Sequence, residues 1–261
     1  MNYIQHINTT IFGATTMKDL NAPEQNNMAL HVCIQPEEVM KNREHLAKDI
    51  HLPLQNWTLP WQKHTDIYQE VGLEDQGKGA FDKNTSIMNV DAIYTTKPNQ
   101  LIGVFTADCV GILLVDETAP CICAIHSGWK GTTKMITYKT VQHLIKERKI
   151  NPSTTKAYFS PSILKDSLEV GLEVVEQIQA IEKEIPIHTD AFIRYAKNEK
   201  AFLDNQGLNV EMLKLCGFRE ENIFPSTLDT KKEKQICFSY RNDKKTGEHF
   251  TFGYIKKPKQ Q

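Results

Sequence analysis

The sequence lacks an apolar segment long enough to cross a bilayer. Its most apolar run covers residues 101–116 and carries Asp108 in its interior, whereas a membrane-spanning helix needs about 20 mostly apolar residues. The opening segment MNYIQHINTT has neither the basic start nor the apolar stretch of a secretory signal. We therefore expect a soluble protein of the cytoplasm that does not bind membranes.

Cysteine is sparse and the charge is nearly balanced. Six cysteines among 261 residues, with no Cys-x-x-Cys pair, exclude a dense disulfide scaffold and a zinc ribbon. The 31 basic and 32 acidic residues leave a net charge of -1, so the chain lacks the positive field of a general nucleic-acid binder. The charge balance therefore argues against a nucleic-acid partner.

Predicted strands and helices alternate along the chain, and no linker, repeat or low-complexity segment separates them. The apolar patterns predict strands at 101–106, 110–116, 121–126 and 157–160, and a closing hairpin of strands 236–240 and 249–255. Helical periodicity is present at 36–50, 132–148, 172–185 and 202–216, with Gly217 as a C-terminal cap. The mixture predicts an α/β fold with mixed sheets in a layered α+β arrangement, as a single domain over residues 1–261.

Three short segments place metal-capable side chains at breaks between predicted elements: WQKHTD at 61–66, TADC at 106–109 and AIHSGWKG at 124–131. They contribute His64, Cys109 and His126, which are too far apart in sequence for a local zinc finger. Three ligands assembled in space leave a fourth position open for water or substrate. The segments therefore predict a metal site, with ordinary core or surface roles for the three residues as the alternative.

Strand parity decides which cysteines belong to this site. Successive residues of a strand face opposite sides of the sheet, so in CICAIH the side chain of His126 shares a face with Ile122 and Ala124. Cys121 and Cys123 face the other side and are predicted to be small core residues.

The other histidines have no evident partner and are predicted to be structural or surface residues: His6, His31, His45, His51, His143, His188 and the hairpin residue His249.

Two arginines occupy unusual positions. Arg43 lies between Val39 and Leu46 on the apolar face of the first predicted helix, and Arg241 follows the strand CFSY. A guanidinium suits phosphate because its donors form a planar fork. Both residues are therefore candidates for phosphate binding, and an arginine whose stem covers apolar surface while its head reaches water or an ion pair is the alternative for Arg43.

Several motifs, in this order, resemble the YfiH-like or laccase-domain family, formerly named multicopper polyphenol oxidases. They are HVCIQPEEVMKNREHLA, QKHTD, the Asp91-Ala92 step, TADC, GILLVD, AIHSGWKG, SPSI, LEVG and FSYRNDKKTG. The resemblance covers nearly the whole chain. It implies a zinc ion held by His64, Cys109 and His126, with copper able to occupy the same site because it outranks zinc in intrinsic affinity.

The resemblance also implies an activity. It points to phosphorolysis of purine nucleosides (inosine, adenosine and methylthioadenosine) with accompanying adenosine deamination, by a monomer or small homo-oligomer. Deamination requires an acid that shuttles protons, and Asp108 beside Cys109 is the candidate, with a structural turn aspartate as the equal alternative. Lys130 stands where arginine is commoner in the family, which keeps the charge and loses bidentate geometry.

Three other functions remain open at this level. A hydrolase that edits peptidoglycan precursors would use the same metal chemistry. A copper-dependent polyphenol oxidase would need several histidine-rich clusters, which nine scattered histidines do not supply. A non-enzymatic zinc-binding protein would require a fourth protein ligand to close the site.

Overall fold

A computed structural model describes residues 2–257. Within this range the chain forms five α-helices: α1 (Pro36–Asp49), α2 (Trp129–Thr133), α3 (Ile136–Lys146), α4 (Leu172–Gln179) and α5 (Asn205–Leu215). The strands are β1 (Tyr3–Asn8), β2 (Ile11–Thr16), β3 (Trp57–Thr58), β4 (Pro60–Trp61), β5 (Tyr68–Glu70), β6 (Ile87–Met88), β7 (Ala92–Thr95), β8 (Leu101–Thr106), β9 (Val110–Asp116), β10 (Cys121–Ser127), β11 (Lys156–Phe159), β12 (Glu169–Gly171), β13 (Ile193–Tyr195), β14 (Lys200–Leu203), β15 (Ile223–Phe224) and β16 (His249–Ile255).

Two large mixed sheets carry most of these strands. The first has the order β1-β2-β16-β8-β3 and the second β15-β11-β9-β10-β7-β5. A three-stranded sheet (β12-β14-β13) and a two-stranded pair (β4-β6) complete the architecture. The predicted α/β class with mixed sheets is confirmed.

The two large sheets pack face to face, and helices cover their outer faces. Ile102 and Val104 of β8 share a buried cluster with Leu113 of β9 and Ile122 of β10, so this cluster lies between the sheets. Residues of α1 pack on the other face of the first sheet, and residues of α3 and α5 pack on the other face of the second. The result is a layered arrangement of helix, sheet, sheet and helices.

The predicted closing hairpin is wrong. Residues 236–240 form no strand, and β16 pairs instead with β2 on one side and β8 on the other. Both hydrogen-bonding edges of β16 are therefore occupied, and no edge is left for a hairpin partner. The segment meets the sheet differently: the backbone N–H of Phe238 donates to Nε2 of His249 over 3.0 Å.

Three predicted helices have different bounds. The helical pattern at 172–185 corresponds to α4, which ends at Gln179 and is followed by a short 3-10 helix at Ala180–Lys183. The helix predicted at 132–148 is two helices, α2 and α3, because Met135 between them takes a left-handed conformation with φ of 59°. The helix predicted from residue 202 begins at Asn205, where Asp204 caps it by accepting from the N–H of Gly207 over 2.8 Å. Its end was predicted correctly, since Gly217 has a φ of 91°.

Candidate metal centre and cavity

The topology brings His64, Cys109 and His126 together at the ends of two inner strands of the second sheet, β9 and β10. β9 begins directly after Cys109, and the antiparallel β10 ends beside it, with Ser127 opposite Val110. His64 lies in the loop between β4 and β5. One ligand atom from each residue lies within 4.8 Å of the others, and Sγ of Cys109 is 3.7 Å from Nε2 of His64. A single ion can therefore be reached by all three side chains.

Asp91 organises both histidines. Its Oδ1 lies 2.8 Å from Nδ1 of His126, which leaves Nε2 of that ring available to the site. The same carboxylate accepts hydrogen bonds from the backbone N–H groups of Lys63, His64 and Thr65 at 3.1, 3.0 and 2.7 Å. These bonds hold His64 in a left-handed conformation, with φ of 56°. Carboxylate partners of this kind fix the orientation of metal-binding histidines.

The electrostatics favour a thiolate. Burial by itself would raise the pKa of Cys109, but the adjacent His126 and His64 lower it below the ordinary value. Burial would likewise lower the pKa of His126, and Cys109 together with Asp91 raises it instead. Since a thiolate is the form of cysteine that binds metals, the donor set suits a cation.

Gly128 leaves room for these groups. A Cβ at this position would lie 2.6 Å from Sγ of Cys109 and 3.0 Å from Cδ2 of His64. The close approach explains a glycine directly after the strand that carries His126.

The three residues line a cavity of about 640 Å³. Its cationic side chains are Lys63, Lys130, Arg241 and Lys244, and its carboxylates are Asp108 and Glu248. A second cavity, of about 720 Å³, includes none of the three metal-capable residues in its lining. The chemistry is therefore concentrated in the first cavity, which we call the metal-side cavity.

Arg43 does not fit the predicted phosphate-binding role. It is 2% exposed, and its guanidinium donates to the carbonyl oxygens of Met28, Gly79 and Ala80 at 2.7–2.8 Å. It is absent from the lining of the metal-side cavity. Its position on the apolar face of α1 serves to join that helix to two loops.

Arg241 and Asp108 lie together in the cavity wall. The backbone N–H of Arg241 donates to Oδ2 of Asp108 over 2.6 Å, and the hydroxyl of Thr230 donates to Oδ1, also over 2.6 Å. The Arg241 guanidinium donates to the carbonyl oxygen of Glu169 at 3.2 Å. Both carboxylate oxygens of Asp108 thus accept a hydrogen bond, one from Thr230 and one from the backbone of Arg241.

The parity prediction for β10 is confirmed. Cys121 and Cys123 are each 1% exposed and belong to the cluster packed against α3, on the face opposite to Ile122 and Ala124. Burial raises the pKa of both thiols, which keeps them protonated and chemically inert.

Two residues of the site have no role predicted from the sequence: Asp91, and His31, which is predicted to have no partner. His31 in fact lines the metal-side cavity, with Nε2 at 3.0 Å from Oε2 of Glu248. Neither residue carries a local signal, because each meets its partner through the tertiary fold. Asp91 enters the sequence analysis only through the Asp91-Ala92 step of the family resemblance, which assigns it no role.

Comparison with known proteins places this geometry in a family. The family model described as multi-copper polyphenol oxidoreductase laccase matches residues 8–256. The chain belongs to this laccase-type family. The expected resemblance is confirmed.

Curated relatives and solved structures match over most of the chain. A Bacillus subtilis protein named purine nucleoside phosphorylase YlmD is 32% identical over 245 residues, which cover 94% of this chain and 86% of that protein. The crystal structure of YlmD from Geobacillus stearothermophilus superposes with a TM-score of 0.90 at 27% identity, covering 98% of this chain and 97% of that one. The structure of a Bacillus licheniformis hypothetical protein, YfiH, gives a TM-score of 0.87 at 27% identity, covering 94% of this chain and 93% of that one.

No helix between residues 2 and 257 is long and apolar enough to cross a membrane.

Proposed function

We propose that this member of the laccase-type family is a zinc-dependent purine nucleoside phosphorylase that acts on inosine, adenosine and methylthioadenosine, with adenosine deamination as a second activity. One observation carries the proposal: a His-Cys-His cluster opens onto a cavity whose wall is rich in cations. The names of the curated relatives support the same reaction class.

The donor set fits a zinc ion. His64, Cys109 and His126 supply two imidazoles and a thiolate, Asp91 orients one ring, and three protein ligands leave a position for another group. When bound, zinc would supply a Lewis acid that polarises an oxygen or activates water.

Phosphorolysis joins a phosphate oxygen to C1′ of the ribose while the C1′–N9 bond breaks and its electron pair leaves with the purine. Phosphate must therefore be held as an anion near C1′, and the bond that breaks needs a fixed orientation. Arg241, Lys130 and Lys244 line the cavity and are the side chains proposed to bind phosphate. Asp108 would move the proton in deamination, while its Oδ2 also accepts from the backbone N–H of Arg241 and so holds that residue in place.

The copper oxidase alternative is less well supported by the ligands. Among residues 2–257, one group of three or more histidine, cysteine or acidic side chains has its ligand atoms close enough to bind a metal. A multicopper oxidase that reduces oxygen needs several such groups. Copper in the single cluster would support no redox step of the proposed reaction, so added copper should leave phosphorolysis unchanged.

The test uses purified protein of defined metal content with inosine or adenosine, with and without phosphate. Free base and ribose 1-phosphate should form at a rate that saturates with phosphate, as followed by mass spectrometry. Arg241→Ala should raise the KM for phosphate about tenfold or more, since it removes a hydrogen bond between charged groups, and should affect deamination less because water replaces phosphate there. Arg219→Ala is the control, because Arg219 is exposed and lies outside the cavity lining.

Zinc-loaded protein that converts no nucleoside in the presence of phosphate, yet hydrolyses a peptidoglycan precursor, would contradict the proposal and favour the editing function.

A further inference from the structure

Glu248 is a carboxylate of the metal-side cavity that the proposed reaction has not yet used. It precedes β16 directly, and its backbone N–H donates to Oδ1 of Asn27 over 3.0 Å. Its side chain is 18% exposed and has the imidazole of His31 beside it, with Nε2 at 3.0 Å from Oε2. The imidazole also contacts two aromatic rings, those of Trp61 and Phe105, at centroid distances of 5.9 and 5.7 Å.

The two carboxylates of the cavity differ in what they can accept. Both oxygens of Asp108 receive a hydrogen bond from the protein. Oε2 of Glu248 is shielded from solvent and accepts no hydrogen bond of normal geometry, although Nε2 of His31 lies 3.0 Å away. A buried polar atom without a partner requires an explanation in a native structure. A ligand group that donates a hydrogen bond to this carboxylate would supply the missing partner.

The chemistry of a carboxylate narrows the class of ligand group. An ionised carboxylate accepts hydrogen bonds and donates none. It also repels a phosphate dianion, so we expect phosphate to bind near the cationic side chains of the cavity, Arg241 and Lys130 among them. Vicinal hydroxyl groups of a sugar present two donors side by side, and acidic residues bind ribose hydroxyls in this way in dinucleotide-binding folds.

We propose that Glu248, positioned by His31, binds the 2′- and 3′-hydroxyl groups of the ribose and makes the enzyme specific for ribonucleosides over deoxyribonucleosides. This inference rests on the proposed nucleoside phosphorylase function and adds the group that recognises the sugar. Glu248 holds the ribose while phosphate approaches C1′ from the cationic wall. A deoxyribonucleoside lacks one of these hydroxyl groups and therefore leaves a carboxylate oxygen of Glu248 without a donor. A site that loses a hydrogen bond in this way discriminates strongly between the two substrates.

The experiment compares adenosine with 2′-deoxyadenosine and 3′-deoxyadenosine in the presence of saturating phosphate, in wild-type protein and in Glu248→Gln, Glu248→Ala and His31→Gln variants. Wild-type protein should prefer adenosine by about 10- to 100-fold in kcat/KM, the range of a hydrogen bond to a charged group. Glu248→Gln keeps an acceptor and should retain part of this preference, whereas Glu248→Ala should bring the ratio close to one. His31→Gln should lower the ratio without removing it.

The matched controls are Asp49→Asn and His45→Gln, which alter a similar acid–histidine pair, 3.6 Å apart, on the exposed side of α1. Both should leave the ribose preference unchanged. A ribose preference that survives intact in Glu248→Ala would overturn the inference, because a purely structural glutamate would alter the melting temperature and not the ratio of kcat/KM values. A ratio near one in wild-type protein would overturn it as well.

Equilibrium binding separates this inference from the proposed function. Calorimetry with zinc-loaded protein and adenosine or 2′-deoxyadenosine, without phosphate, measures sugar recognition even if no turnover occurs. A ribose preference in binding that Glu248→Ala abolishes supports the inference although phosphorolysis fails, and equal binding of the two nucleosides refutes it although phosphorolysis succeeds.

Discussion

Cys109 and the two cysteines of β10 have different environments. Cys109 precedes β9 and faces two imidazoles, while Cys121 and Cys123 of β10 face the packed helices. Strand parity turns Cys121 and Cys123 away from the face of β10 that carries His126, whereas Cys109 lies outside β10, at the start of β9.

Cys109→Ala should therefore lose stoichiometric zinc, and Cys121→Ala and Cys123→Ala should retain it. The measurement is metal content per chain after dialysis, by inductively coupled plasma mass spectrometry. The two core variants also serve as controls for the loss of a buried thiol. Equal loss of metal from all three would show that the His-Cys-His cluster does not hold the ion.

Arg43 is a buried charged residue that we expect to stabilise the folded protein. Three backbone carbonyl oxygens depend on its guanidinium, and each buried acceptor left without a donor costs about 1–3 kcal/mol. Burial also lowers its pKa to about 9, as expected of a charge withdrawn from water.

Arg43→Met should lower the free energy of unfolding by about 3 kcal/mol or more and leave the KM for phosphate unchanged. Urea unfolding followed by circular dichroism measures the first, and phosphate titration of the folded enzyme measures the second. Arg219→Met, at an exposed position, should change neither. A large rise in the KM for phosphate with unaltered stability would restore Arg43 as an anion-binding residue.

At the level of elements, the site depends on where strands and helices stop. β10 ends at Ser127 and α2 begins at Trp129, so Gly128 connects the two elements beside the His-Cys-His cluster. A side chain at this point would occupy the space of Cys109 and His64.

Gly128→Ala should reduce zinc affinity sharply, because the added Cβ displaces two of the three ligands. Secondary structure should be retained, because the backbone at this position, with φ of −66°, tolerates alanine. Zinc titration against a competing chelator measures the affinity. Gly131→Ala is the matched control in the same motif, since its Cβ would meet a methyl group of Ile136 at 3.3 Å and the backbone oxygen of His126 at 3.5 Å, but no metal-binding side-chain atom. Unchanged affinity in Gly128→Ala would mean that the ligands can retreat and still bind.

At the level of the whole molecule, the core is large enough to fold without a metal. Four clusters of buried apolar residues fill the spaces between the layers, and a chain of this size buries about 70% or more of its surface on folding. The His-Cys-His cluster lies at the ends of β9 and β10, outside these four apolar clusters. Its contribution to stability should therefore be local.

Removal of zinc with a chelator should leave the circular dichroism spectrum near native and unfolding cooperative, while activity is lost. Restoring zinc should recover activity and raise the melting temperature, since a ligand that binds only the folded state stabilises it. An unfolded metal-free chain would instead assign the ion a structural role.

The sequence by itself determined the parts of the protein that depend on local periodicity. The strands at 101–106 and 110–116, the helix α1, the cap at Gly217 and the burial of Cys121 and Cys123 all follow from side-chain period and backbone preference. The motifs around His64, Cys109 and His126 indicated a shared site, because a strand end presents side chains to a cavity.

Only the tertiary structure decided which groups meet across the chain. It paired β16 with β2 and β8 in place of a hairpin, turned Arg43 towards three carbonyls, set Asp91 behind His126 and brought His31 to Glu248. These outcomes depend on competition for sheet edges and for buried hydrogen-bond partners. Residues far apart in sequence settle that competition only when the layers pack, so no local pattern could have predicted them.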